Sequence, residues 1–365
     1  MSDRQRSMPS ISARILYVAP TGIFSGGERV TLEIAEKMKQ RGHTVLYASL
    51  DGMIREYAEA AKVPFCPLKR FSIHEIRKVV QEFQPDVIHA MDYRASFYSL
   101  FMGKPVIAHL HNNNPWLRSI NPNSIALIAV GLWAKKIVCV SDSILKEYVF
   151  HSLLQKKAVV LSNVVDVKRV IEMAGTASEE VLYDVGFVGR LAEEKQPLEF
   201  VRIVAQLRNR FCGLRAVMIG EGQMRQEVEQ QIDKSGLHDC ITLTGFMRNP
   251  FPLIRRCRVM IMPSVWEGFG LTAVESFALG KPVLARPVGG LKKLVSNENG
   301  ALCETTEEFV MHAAELLQNT DLYECKSKQA YCSAFAYGDM DSYYSELEKI
   351  YLGVENKMHY HTKER

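Results

Sequence analysis

The chain is 365 residues long, with 47% hydrophobic and 24% charged residues and a formal net charge of +4. That length exceeds one ordinary core and fits two domains, and the composition excludes a disordered chain. No apolar run reaches the ~18–20 residues that a membrane-spanning helix needs.

The longest such run, "SIALIAVGLWA" at 124–134, contains a glycine, and the N-terminal apolar run, Ile15 to Val18, is too short for a signal peptide. The charge is unevenly divided: residues 1–165 carry 21 Lys/Arg against 13 Asp/Glu, and residues 166–365 carry 24 against 28. A basic first half suits a phosphate-bearing partner, either a phosphorylated substrate or an anionic membrane surface; a plainly solvated face is the alternative. The eight cysteines form no Cys-x-x-Cys pair and read as buried free thiols of a cytoplasmic protein.

In chain order, short β-branched runs alternate with helix-period stretches. The first half gives "RILYVAP", "HTVLYAS", "VPFCPL", "DVIHAM", "PVIAHLH", "KIVCVS" and "AVVLSNV". Between the first two lies "GERVTLEIAEKMKQRG", with Val30, Ile34, Ala35 and Met38 on one face and Gly42 as its stop. The polar stretch 166–182 fits no strand and divides two comparable halves. The second half gives "YDVGFVGR", "RAVMIGE", "CITLTGF", "RVMIMPS" and "PVLARP", separated by helices such as "PLEFVRIVAQLRNRF" and "MRQEVEQQIDKSG". Interleaved strands and helices predict two parallel sheets with helices on both faces, whose strand ends meet at a cleft. The division expected is 1–165, 166–340, and a C-terminal helix with a frayed tail in 341–365 that packs back on the first domain.

One stretch carries the chemistry. In "PSVWEGFGLTAVESFALGKPVLA", a strand is followed by the turn "WEGFG" and the helix "LTAVESFAL". Gly268 and Gly270 let the backbone approach a ligand, and the helix N-terminus at Leu271 and Thr272 is an anion site suited to a diphosphate. Glu267 stands in the turn beside that site, and Glu275 one turn inside the helix can accept from ligand hydroxyls. The plainer reading of Glu275 is a solvated acid complementing the helix dipole.

This stretch resembles the glutamate–seven–glutamate signature of retaining glycosyltransferases of family 4, which have the GT-B fold of two Rossmann-like domains. "GGERVTLEIAEKMKQRGHTV", "FVGRLAEEKQPLEFV", "VMIGEGQMRQEVEQQI" and "ITLTGF" resemble the family's landmarks in the expected order. The resemblance implies that Arg190 and Lys195 hold the donor diphosphate, with a solvated loop lysine as the plain alternative for Lys195. It implies that Glu267 faces the donor sugar, that Glu275 binds ribose hydroxyls, and that amides from Phe269 to Thr272 contact sugar and phosphate. Met247 and Arg248 fall where the family lays the nucleobase. Gly26 and Gly27 fall near the diphosphate, although "SGGER" leaves two registers for that loop. The family's histidine at the end of the fifth run falls on His111 by position, and His109 shares its face.

Other classes fit less well. "GEGQMR" has Arg225 where a dinucleotide fingerprint needs its third glycine, a P-loop is absent, and no aromatic-plus-basic stripe suits nucleic acid. The expectation is a cytoplasmic, retaining, metal-independent hexosyltransferase, with positive charge supplied by Arg190, Lys195 and the helix terminus and with no cofactor. Its donor is a UDP- or GDP-linked sugar and its acceptor a glycan, lipid-linked or polysaccharide, at the inner face of the membrane. A nucleotide-sugar epimerase and a non-catalytic sugar-nucleotide-binding module are the alternatives.

Overall fold

The computed structural model describes residues 12–175 and 182–353. The first sheet holds β1 (Arg14–Val18), β2 (Thr44–Leu50), β3 (Phe65–Leu68), β4 (Val87–Met91), β5 (Val106–Leu110), β6 (Lys136–Cys139) and β7 (Ala158–Val160), in the order β3-β2-β1-β4-β5-β6-β7. The second holds β8 (Tyr183–Val188), β9 (Ala216–Ile219), β10 (Ile241–Gly245), β11 (Cys257–Met262), β12 (Val283–Ala285) and β13 (Gly300–Leu302), in the order β10-β9-β8-β11-β12-β13. Neighbouring strands pair in parallel throughout both sheets. These are the two Rossmann-like α/β domains of a GT-B architecture.

Burial explains the strand composition. Every residue of β4, β5 and β9 is buried, as expected where helices cover both faces of a parallel sheet. The helix Gly26–Gln40 lays Val30, Ile34, Ala35 and Met38 into the first core, as its 3.6-residue period predicts. Its first turn is fixed by Glu28, whose carboxylate accepts from the Ser25 N–H at 3.2 Å and from the Ser25 hydroxyl.

The helix Met340–Leu352 lies on the first domain. It buries Tyr343, Tyr344, Leu347 and Tyr351 in that core, while Glu348 pairs with Arg41 at 2.7 Å and His43 at 2.9 Å. The expected frayed tail falls outside the described residues.

Two details differ from expectation, in strand number and cysteine burial, and one adds to it. A thirteenth strand, β13, was not foreseen. The dividing stretch 166–182 contains the helix Val167–Met173, whose Val167 and Val170 are buried. All eight cysteines are free, but only Cys139, Cys240, Cys257 and Cys303 are buried; Cys212, Cys325 and Cys332 are exposed. Among the described residues no helix is long and apolar enough to cross a membrane.

Candidate active site

Each sheet has one point where strand order reverses, between β1 and β4 in the first and between β8 and β11 in the second. Crevices at such switch points are where open α/β sheets take ligands. Gly26 and Gly27 follow β1, Asp92 follows β4, Arg190 and Lys195 follow β8, and Glu267 to Leu271 follow β11. The two switch points face each other. A Cβ placed on Gly26 would lie 3.5 Å from Leu271 Cδ1, and one on Gly27 would lie 3.6 Å from the His111 ring. Both are ordinary contacts, so neither glycine is demanded by the protein's own packing.

Gly268 is different. A Cβ there would lie 1.7 Å from the His111 carbonyl oxygen, so only glycine allows the turn to meet the loop after β5. Gly270 adopts φ +105°, a conformation side chains rarely accept, and stands at the N-cap of the helix Leu271–Ala278. No side chain caps that helix from the N-cap, so the orphan amides of its first turn are left for another acceptor.

On the donor side, Lys195 donates to Glu267, joining two predicted site residues across 72 positions of sequence. The Val265 N–H donates to the Glu194 carbonyl at 3.0 Å, which binds the turn after β8 to the turn after β11. Arg190 is half exposed and pairs with Glu194. The Phe269 side chain is buried against Tyr337, ring centroids 5.6 Å apart, leaving its backbone for the site. The Thr272 carbonyl accepts from the Ser276 hydroxyl at 2.6 Å.

Glu275 does not stand free at the helix surface. Its carboxylate is buried and pairs with Arg29 Nη2 of the first domain at 2.5 Å. Arg248 reaches across in the same way, pairing with Glu56 and lying 5.4 Å over the Tyr57 ring, while Met247 packs against the core. Arg29, Glu275, Arg248, Tyr57 and Phe24 line a cavity of about 500 Å³ between the domains. Arg190, Lys195 and Glu267 do not line it, so the predicted donor residues form two groups, one at the cavity and one beside the helix terminus.

On the other side, His111 is buried and neither ring nitrogen has a partner among the described residues. Burial pushes its pKa down to about 3, so the ring is neutral. His109 lies beside it, fully buried, with ring centroids 4.1 Å apart.

Sequence reasoning missed two residues here. Asp92 adopts φ +61° at the end of β4 and accepts from the His111 N–H at 3.1 Å and from Asn112 Nδ2 at 3.2 Å. Burial pushes its carboxyl up to about 6, against the stabilising His111 N–H. An acid directly after a fully buried strand was the available signal. Arg29 was legible only as a surface helix residue. The expectation of metal independence also takes the chain to hold no Asp-x-Asp, and this is corrected: Asp339-Met340-Asp341 is one, and both of its carboxylates are engaged locally. Asp339 caps its helix by accepting from the Ser342 N–H at 3.0 Å, and Asp341 lies 3.7 Å from Arg41.

Residues 24–169 match the family model described as Glycosyltransferase Family 4, and residues 183–319 the one described as Glycosyl transferases group 1. The two glycosyltransferase models thus fall one on each Rossmann-like domain, and the architecture is GT-B. Among solved structures, Anabaena HepE, crystallised with UDP and glucose, is similar with TM-score 0.81 and 20% identity, over 94% of this chain and 100% of that one. Among curated relatives, an uncharacterized glycosyltransferase of Methanocaldococcus jannaschii is 24% identical over 61% of this chain and 60% of its own. The 4-alpha-N-acetylgalactosaminyltransferase of Campylobacter jejuni that acts on an N-acetylgalactosamine-N,N'-diacetylbacillosaminyl-diphospho-undecaprenol is 28% identical over 49% of this chain and 48% of its own. The chain thus spans about half to three-fifths of the length of these two curated relatives.

Proposed function

We propose that the protein transfers a hexose-type sugar from a nucleoside-diphosphate sugar to a hydroxyl acceptor, with retention at the anomeric carbon. The observation that carries this reading is the convergence of Lys195, Glu267 and the uncapped start of the helix Leu271–Ala278 opposite the unpartnered ring of His111. The diphosphate rests on the helix amides, and Arg190 and Lys195 neutralise the charge that gathers on the departing nucleotide. Glu267 attends the sugar and Glu275 the ribose, for which the ribose hydroxyls compete with Arg29. In a front-face substitution the bond from the anomeric carbon to the phosphate oxygen breaks as the acceptor oxygen bonds to that carbon. The acceptor proton passes to the departing phosphate oxygen. Domain contact around Gly268 excludes water from the reacting sugar. Positive charge from the two side chains and the helix terminus makes the step metal-independent in this reading.

UDP-glucose is the first donor to assay, because the similar HepE was crystallised with UDP and glucose. A panel of UDP- and GDP-sugars, with and without acceptors, separates the readings. A transferase releases nucleoside diphosphate with an acceptor present, an epimerase interconverts sugars without one, and a binding module is stabilised without turnover. Donor consumption in no condition overturns the transferase reading.

A lipid-linked acceptor is favoured by a surface feature of the first domain. Ile125, Leu132 and Trp133 are exposed along one face of the helix Pro122–Trp133, with Leu153 exposed on the adjoining helix and Lys156 and Lys157 nearby in sequence. An apolar face rimmed by lysines suits an anionic lipid surface. Co-sedimentation with phosphatidylglycerol vesicles should fall with rising salt and with Trp133→Ala; binding unaffected by either, or absent, contradicts docking through this face.

A further inference from the structure

We propose that Tyr351 of the C-terminal helix is a positioning residue for His111, acting through a buried column of imidazoles formed by His89 and His109. The Tyr351 hydroxyl lies 2.6 Å from His89 Nδ1, and His89 Nε2 lies 3.1 Å from His109 Nδ1. The His109 ring then carries the His111 ring at 4.1 Å between centroids, tilted 33°. The period of a strand builds the column: His109 and His111 are two apart at the end of β5, on one side of the chain, while His89 is on neighbouring β4. Tyr17 on β1, in register with His89, closes the far side with its ring 5.1 Å away.

Buried strands of a parallel sheet ordinarily carry Val, Ile or Leu, since each buried polar atom must find a partner. Here two of the imidazole contacts are satisfied, and the satisfied end is the one held by Tyr351. The opposite end is open: His109 Nε2 and both nitrogens of His111 lack partners among the described residues. That open end adjoins Gly27 and the cleft. Among the three imidazoles, every unpaired nitrogen belongs to His109 or His111, the two rings at the cleft end.

A phenol O–H is a stronger acid than a neutral imidazole N–H, so Tyr351 donates to His89 Nδ1. His89 then carries its proton on Nε2 and donates to His109 Nδ1, and His109 carries its own proton on Nε2. One hydroxyl thereby selects the tautomer and orientation of two rings, and the second ring supports His111. The link also joins the site to the seating of the helix Met340–Leu352 on the first domain.

This inference rests on the placement of His111 in the active site, and the test separates the two. Tyr351→Phe keeps the ring and removes the hydroxyl. Imidazole nitrogen-15 spectra of the full chain should show Nε2–H tautomers at His89 and His109 in the wild type and a changed His89 Nδ1 signal in the variant. With UDP-glucose, kcat should fall about tenfold with the donor KM unchanged, the size of coupling expected within one hydrogen-bonded network. In a His111→Ala background Tyr351→Phe should add no further loss. Wild-type kcat with unchanged imidazole signals overturns the inference, as does a Tyr351→Phe loss of full size in the His111→Ala background. Wild-type turnover by His111→Ala itself overturns the placement of His111.

Discussion

The two walls of the cleft are built on opposite principles. The donor wall is charged and local: Arg190, Lys195, Glu194 and Glu267 come from two turns tied by one backbone hydrogen bond, and each charge has a counter-charge. The facing wall is built of uncharged imidazoles beside one buried acid and is assembled from afar, with Asp92 and the histidines drawn from the ends of β4 and β5 and His89 bonded to Tyr351, 262 residues away. In the proposed reading, charge that develops during reaction is met by groups already charged, whereas the sugar faces buried neutral rings whose orientation is fixed by packing. The first wall should therefore fail by loss of charge and the second by loss of placement.

The largest expected effect breaks the charged wall. Lys195→Ala with Arg190→Ala should lower turnover by roughly two to four orders of magnitude, the scale of lost charge stabilisation in a transition state. Steady-state kinetics check this, and wild-type rates in the double variant would remove the diphosphate assignment. Breaking the join between the walls comes next. Gly268→Ala places a methyl group against the His111 carbonyl, and the displacement of about 1 Å that follows should cost roughly a hundredfold in kcat. Unfolding midpoints should show the variant still folded; a normal kcat would mean that the turn does not need that contact.

The last effect is on stability rather than turnover, and it sharpens the histidine wall through pH. Burial holds His89 and His111 at about 3, and His109 well below its ordinary value, against about 6.5 in an unfolded chain. Each such imidazole contributes stability that is present above about pH 6.5 and declines as pH falls, by about 1.4 kcal/mol per unit. Asp92 works in the opposite sense: raised to about 6, it favours the fold at low pH and loses that contribution as pH rises through 6. Three imidazoles outweigh one carboxyl, so the urea midpoint should fall between pH 7 and pH 5, and more gently in His111→Gln. A midpoint constant over that range would mean that the rings protonate freely in the folded protein.

The same contrast explains what was legible in the sequence. Eleven strands hold β-branched residues and β3 follows Val63 with Phe65, but β13 is Gly-Ala-Leu, three residues with neither a β-branched nor an aromatic member. The turn "WEGFG" and the helix after it are contiguous, so Glu267, Gly268, Gly270 and Glu275 declare themselves together. Lys195 meets Glu267 within the same domain, and a motif on each assigns both to the donor, though not to each other. Arg29 meets Glu275 only when the domains face, and Tyr351 meets His89 only when the last helix returns. Neither residue carries a local signal, because its partner is chosen by topology. Val167 and Val170 did keep a helical spacing within the polar divider, and the surrounding charge concealed it.

The central claim is that the start of the helix Leu271–Ala278 holds a diphosphate, with Glu267 at its sugar end and Glu275 at its ribose end. A crystal structure with UDP-glucose tests it most directly. The account predicts phosphate oxygens within hydrogen-bond reach of the Leu271 and Thr272 amides and of Lys195, with Glu275 released from Arg29 toward the ribose. A nucleotide seated away from that turn, with the Arg29–Glu275 pair undisturbed, would contradict it.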